Sequence, residues 1–116
     1  MVGPKNITGF LGDRVELQCQ VTGIPKPKVQ WFSKRDGKLS SNGPNFRIHR
    51  NNSLIFRRID KRDETLYHCV AENSQGNVNS QSASVTVEGK LSFFLEVFIN
   101  LIEKILNKFM MKGAIE

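Results

Sequence analysis

The sequence predicts an all-β sandwich of two packed sheets with an amphipathic helix appended at its C-terminus. Three observations predict it. Short alternating runs separated by turn residues fill positions 1–89, the pattern of a sandwich. Cys19, Trp31, Tyr67 and Cys69 fall at spacings that suit one buried centre. At Gly89-Lys90 the apolar period changes from two to that of a helix. The chain therefore divides into a β domain at 1–89 and a helical tail at 90–116.

The size is right for one such domain. The chain has 116 residues, 39% hydrophobic and 24% charged, a globular and not a disordered composition. Two cysteines, fifty positions apart, exclude a four-ligand zinc cluster and a CxxC redox pair. They are either two free buried thiols or one long-loop disulfide, and the second requires an oxidising compartment.

The strands come in order along the chain. Arg14-Val15-Glu16-Leu17-Gln18-Cys19-Gln20-Val21 alternates strictly, so Val15, Leu17, Cys19 and Val21 share the core face. Gly23-Ile24-Pro25-Lys26-Pro27 interrupts, because two prolines withhold ladder donors. Extended structure resumes at Lys28–Phe32, Asp36-Gly37 and Asn42-Gly43-Pro44 punctuate the next stretch, and Phe46–Ile48 is a short strand. Asn51-Asn52-Ser53 turns into Leu54–Phe56, with Ile59 beyond it. Leu66–Ala71 is another strand, and Gln75-Gly76-Asn77 turns toward the last, where Ala83, Val85 and Val87 alternate. The expected core is Val15, Leu17, Val21, Val29, Leu54, Phe56, Ile59, Tyr67, Ala71, Val85 and Val87, around Trp31 and the cysteines.

In the tail, Ser92, Glu96, Asn100, Glu103, Lys104, Asn107 and Lys108 fall on one half of a helical wheel. Leu91, Phe94, Leu95, Phe98, Leu101, Ile102, Ile105, Leu106 and Phe109 fall on the other half. A transmembrane span is disfavoured, because Glu96, Glu103, Lys104 and Lys108 would lie in hydrocarbon. Two readings of the tail stand side by side. It is an amphipathic helix that packs on the domain, on a partner or on another copy. Alternatively it is read-through past an exon end, since Gly89-Lys90 can be encoded by GGTAAA, a sequence like a splice donor.

Trp31 lies twelve residues after Cys19, and Tyr67 precedes Cys69 by two. With these residues the chain resembles the I-set immunoglobulin domains of cell-surface receptors, over about residues 2–88. Asp63-Glu64-Thr65-Leu66-Tyr67-His68-Cys69 is similar to the family pattern D-x-G/A-x-Y-x-C, with Thr65 in place of the usual small residue. Val70-Ala71-Glu72-Asn73-Ser74-Gln75-Gly76 matches V-A-x-N-x-x-G, and Gly23–Pro27 matches G-x-P-x-P.

The resemblance implies a Greek-key sandwich stapled by a Cys19–Cys69 disulfide. It also implies that Trp31 packs on the bridge and that the Tyr67 hydroxyl bonds backbone at the corner before its strand. Three segments carry a narrower likeness: Pro27–Trp31, Asp36–Leu39, and Phe46–Ile48 with Asn52–Phe56. Their spacing resembles the third immunoglobulin domain of Roundabout axon-guidance receptors. In those receptors Slit is bound mainly by the first such domain, so the likeness implies receptor membership and not a ligand site here.

The implied function is extracellular, cell-surface recognition. The chain would be one spacer or interaction module of an adhesion or guidance receptor, with protein partners reached through neighbouring modules. A matrix protein of peroxidasin or hemicentin type is the alternative. An intracellular muscle module is a third reading, and the two cysteines argue against it. Met1-Val2-Gly3-Pro4-Lys5 does not read as a signal peptide, so a secreted domain would be either an internal fragment or one whose preceding segment is missing.

The sequence offers no enzyme chemistry and calls for no cofactor or metal. It contains no nucleophile elbow, phosphate loop or paired-carboxylate motif. His49 and His68 read as surface residues, His68 pointing away from Tyr67 and Cys69.

The formal charge is +6 and belongs to the domain, since residues 91–116 hold three cations and three anions. For an extracellular domain such a surface suits sulfated glycan and not nucleic acid. Arg47, Arg50, Arg57, Arg58, Lys61 and Arg62 form a basic stretch, and the Roundabout likeness implies heparan sulfate as its ligand. Arg47 has a structural alternative, an ion pair with Asp63. Asn6-Ile7-Thr8 and Asn51-Asn52-Ser53 are N-glycosylation sequons, at Asn6 and Asn51.

Overall fold

A computed structural model describes residues 1–40 and 42–115, without side-chain placement for 90–94 and 111–115. Among the described residues, nine strands and one α-helix follow in chain order. They are β1 (Ile7–Phe10), β2 (Val15–Leu17), β3 (Lys28–Ser33), β4 (Gly37–Lys38), β5 (Phe46–Ile48), β6 (Leu54–Phe56), β7 (Leu66–Asn73), β8 (Gly76–Asn79), β9 (Ala83–Glu88) and α1 (Lys90–Ile115).

One sheet runs β1-β9-β7-β3-β4, with β8 also paired to β7, and the other runs β2-β6-β5. The two sheets face each other across a single core. β1 pairs parallel to β9, Ile7 opposite Val85, whereas the pairings of β9, β3 and β8 with β7 are antiparallel.

Period-2 alternation is what builds the core. Val15 and Leu17 of β2 point inward, as do Val85 and Val87 of β9, and all four are buried. Trp31, Leu54, Phe56, Ile59 and Tyr67 join them in one cluster with both cysteines. Val21 and Val29, expected in the core, lie at its margin and are only partly buried. Phe56 meets the Tyr67 ring edge-on at 5.3 Å between centroids, which ties the two sheets together by aromatic contact.

Cys69 on β7 is bonded to Cys19, which follows β2, so the disulfide joins the sheets. Trp31 lies directly opposite Cys69 in the β3–β7 register and is fully buried. Its indole Nε1 donates a 2.7 Å hydrogen bond to the carbonyl of Asn52, which satisfies the one polar group of that side chain. This bond also fixes the β5–β6 turn. Asn52 sits there at φ 70°, a left-handed conformation that asparagine tolerates and β-branched residues resist.

Sequence reading overextended the second strand, which is regular only from Val15 to Leu17. Past it, Gln20 makes an isolated bridge with Val2, so the chain leaves the β6 ladder to meet the N-terminus. Strands β4 and β8 were not foreseen, because two exposed residues and a fully exposed GNVN run carry no apolar alternation.

Helix α1 follows β9 almost at once. Every described side chain from Leu95 to Met110 is exposed, including Phe98, Leu101, Ile105 and Phe109. No helix among the described residues is long and apolar enough to cross a membrane.

Candidate functional site

The signature residues of the sequence converge on the corner between β6 and β7. Asp60 caps a 3-10 turn at Lys61–Asp63: its side chain accepts from the Arg62 N–H, while the Asp63 side chain accepts from the Asp60 N–H. The Tyr67 hydroxyl donates to the Asp63 carbonyl at 2.7 Å. Arg35 reaches across from the β3–β4 turn and donates to the carbonyls of Arg62 and Glu64.

The Asp63 carboxylate accepts from the Asn45 amide at 2.6 Å, not from Arg47. The Arg47–Asp63 ion pair considered from sequence is therefore not formed. Arg47 faces Ile55 across β5 and β6, with its neighbours Phe46 and Ile48 packed on the core, so alternation turns it to the outer face.

Burial raises the Asp63 carboxyl above its ordinary value, although the Asp60 N–H and the Asn45 amide oppose the shift. Burial likewise pushes the Tyr67 phenol up. The hydrogen bond from Arg62 lowers the half-buried Asp60, and that from Lys61 lowers the half-buried Glu64. These groups belong to an intramolecular corner, and nothing in their arrangement positions a nucleophile against a base.

The basic stretch does not act as one patch. Lys61 pairs with Glu64 at 3.0 Å and Arg62 with Asp60 at 3.0 Å, so two of its six cations are engaged locally. Arg47, Arg57 and Arg58 are exposed and form no ion pair among the described residues. Arg50 belongs elsewhere. With Lys26, Lys28 and Lys38 it lines a groove of about 730 Å³ beside β3. Sequence reading missed those three lysines as a group, because each stands alone among neutral residues and only the fold gathers them.

Both sequon asparagines are exposed and use Oδ1 as an acceptor. Asn6 takes the Ser84 N–H at 2.8 Å, and Asn51 takes the Ser53 N–H at 3.0 Å. His68 stacks on Phe32 at 5.2 Å on the outer face of the larger sheet, and His49 lies beside Asn51 in the β5–β6 turn. No group of three or more His, Cys, Asp and Glu that could hold a metal occurs among the described residues.

This architecture, with a disulfide across the sheets, a tryptophan on the bridge and a tyrosine corner, agrees with comparison by sequence. Residues 2–87 match the Immunoglobulin I-set domain family. The chain belongs to that family. Its I-set domain is similar to part of human Roundabout homolog 3, at 40% identity over 75 residues, 64% of this chain and 5% of that protein. It is similar to human Protogenin at 38% over 85 residues, 72% of the chain and 7% of that protein. It also resembles Drosophila melanogaster Peroxidasin at 32% over 89 residues, 77% of the chain and 6% of that protein.

The I-set chain thus spans only 6% or 7% of the length of Peroxidasin and Protogenin. Among solved structures, the tandem Ig repeats of Dlar superpose with a TM-score of 0.71 at 26% identity, covering 77% of this chain and 46% of that one. A chimeric titin Z1Z2 gives 0.67 at 30% identity, covering 76% and 91%. I-set domains are typically non-catalytic recognition modules.

Proposed function

We propose that this I-set domain is an extracellular recognition module of an adhesion or axon-guidance receptor of the Roundabout type, serving as a rigid spacer and interaction domain in a tandem array. The observation that carries the reading is the Cys19–Cys69 bridge sealed in the core against Trp31. A bridge in that position implies folding in an oxidising compartment. The polar signature residues are used up in holding the corner, which leaves exposed faces for partners. The likeness to Roundabout homolog 3 supports the receptor class. The likeness to Peroxidasin supports the second reading, a module of a matrix protein.

Long-read sequencing of the transcript across codons 89 and 90 separates the two. Fibronectin-type repeats and a membrane span in the same reading frame support the receptor. A peroxidase domain or a long immunoglobulin array supports the matrix protein. The same reads test the proposed division at residue 89: splicing at codon 89 would make residues 90–116 read-through, and continuous transcripts would make α1 a native helix.

Two surface features complete the proposal. Asn6 and Asn51 carry N-glycans: both are exposed, and the backbone bonds they accept engage Oδ1 and not Nδ2, the atom that takes the sugar. Secreted protein should lose one glycosidase-sensitive gel shift with Asn6→Gln and another with Asn51→Gln; unshifted wild-type protein refutes both. The basic face binds sulfated glycan of the heparan-sulfate type. Elution from immobilised heparin clearly above physiological salt is the expected result, and elution at or below it refutes this part.

A further inference from the structure

The groove beside β3 owes its existence to a short neighbour. β4 pairs only with Phe32 and Ser33 of β3, so the Lys28–Gln30 half of that strand has no strand partner on this side among the described residues. The β5–β6 turn closes the opposite wall, bringing Ile48, Arg50 and Asn52 to the groove. Lys26, Lys28, Lys38 and Arg50 all line it, and no carboxylate does among the described residues.

None of the four cations forms an ion pair among the described residues, where the pairs involve Arg14, Lys61 and Arg62. Glu72 lies opposite Lys28 in the β3–β7 register without pairing with it. Glu72 thus stands near Lys26 and Lys28 on the adjoining face, but four cations against this one neighbouring carboxylate leave the concavity with a net positive potential above that of an open surface.

We propose that this groove is the seat of a sulfated polysaccharide chain. The inference rests on the extracellular reading above and names the site that the glycan occupies. The cations meet the sulfates, while the side-chain amides of Gln30 and Asn52 reach ring hydroxyls. Val29, Leu39 and Ile48 offer apolar floor to the sugar faces. An acidic peptide adding as a strand fits less well. Pro25 and Pro27 lead into β3 and withhold donors, and lysines along an open edge disfavour strand addition. The Arg57 and Arg58 pair, by contrast, is not among the residues that line the groove.

The test is salt-gradient elution from heparin with isothermal titration of soluble heparin, on the full chain and on two variants. One is Lys26→Ser/Lys28→Ser/Lys38→Ser/Arg50→Ser and the other Arg57→Ser/Arg58→Ser. Every substituted position is exposed, and thermal melts confirm that each variant is folded. The groove variant should bind at least about tenfold more weakly, and the arginine variant within about twofold of wild type. Desulfated heparin and polyglutamate should bind far more weakly than heparin.

Wild-type affinity in the groove variant, or loss confined to the arginine variant, overturns the groove while leaving glycan binding standing. Equal binding of polyglutamate overturns it in favour of an acidic protein. No retention of the wild-type chain overturns the glycan reading and the groove together.

Discussion

Removing the Cys19–Cys69 bridge should bring the sandwich close to the limit of folding. The bridge closes a loop with a sequence separation of 50 residues. Chain-entropy arguments give such a closure about 14 cal/mol/K, or about 4 kcal/mol at 25 °C. A domain of this size is stable by only about 4–13 kcal/mol in total. The double variant Cys19→Ala/Cys69→Ala should therefore lower the urea midpoint by about 3 M, at a slope of about 1.3 kcal/mol/M.

Both sulfur positions are buried, so alanine adds a cavity term to the loss of the link. Reducing the wild-type chain in a parallel urea titration with thiol removes the link without deleting the sulfurs, and isolates the first contribution. Tryptophan fluorescence is a suitable readout because Trp31 is the chain's one tryptophan and packs in the same cluster. A midpoint shift below about 0.5 M in both experiments would refute the reasoning. The sandwich would then be held by packing alone, and loop closure by the bridge would contribute little to its stability.

Three further outcomes are expected from the corner and the turn. Tyr67→Phe removes the hydroxyl that bonds the Asp63 carbonyl and should cost about 1–2 kcal/mol in the same urea assay, with no change in slope. Asn52→Val forces a β-branched residue to φ 70° and should cost about 1–2 kcal/mol, whereas Asn52→Gly should lie within about 0.5 kcal/mol of wild type; equal effects of the two would show that the turn does not hold that conformation.

The third outcome is a pH dependence. The folded state raises the Asp63 carboxyl, so it binds that proton more tightly than the unfolded chain does. The stability from this group is present below the ordinary carboxylate pKa and is lost as pH rises through the raised value. Asp60 and Glu64, lowered by Arg62 and Lys61, act in the opposite sense and lose their contribution as pH falls. Asp63→Asn should therefore make acid weaken the fold more steeply than in wild type, and an unchanged slope between pH 3 and 6, a window of about three units, would count against burial as the dominant effect.

The strands at the centre were legible because burial on one face writes itself as alternation. Val15, Leu17, Val85 and Val87 could be placed inside from spacing alone, and so could the pairing of Tyr67 with Cys69 on one face. Weak or wholly exposed elements were not legible. β4 and β8 exist because a neighbouring strand offers them hydrogen bonds, and nothing in their own residues demands extension. The role of Asn52 was hidden for a similar reason. Its carbonyl answers the Trp31 indole from 21 residues away, and backbone acceptors look alike in any sequence.

Charge shows the same division most clearly. The sequence by itself determined that the chain is basic, that the excess lies in the β domain, and that Arg47 to Arg62 are close along the chain. Tertiary structure decided which cations stand together. It paired Lys61 and Arg62 with carboxylates beside them and gave Asp63 to Asn45. It then drew Lys26, Lys28 and Lys38 to Arg50 around one groove. Alternation is a local rule of the backbone and can be read from neighbours. Electrostatic grouping depends on distance in space, which strand order and pairing set and which sequence proximity does not encode.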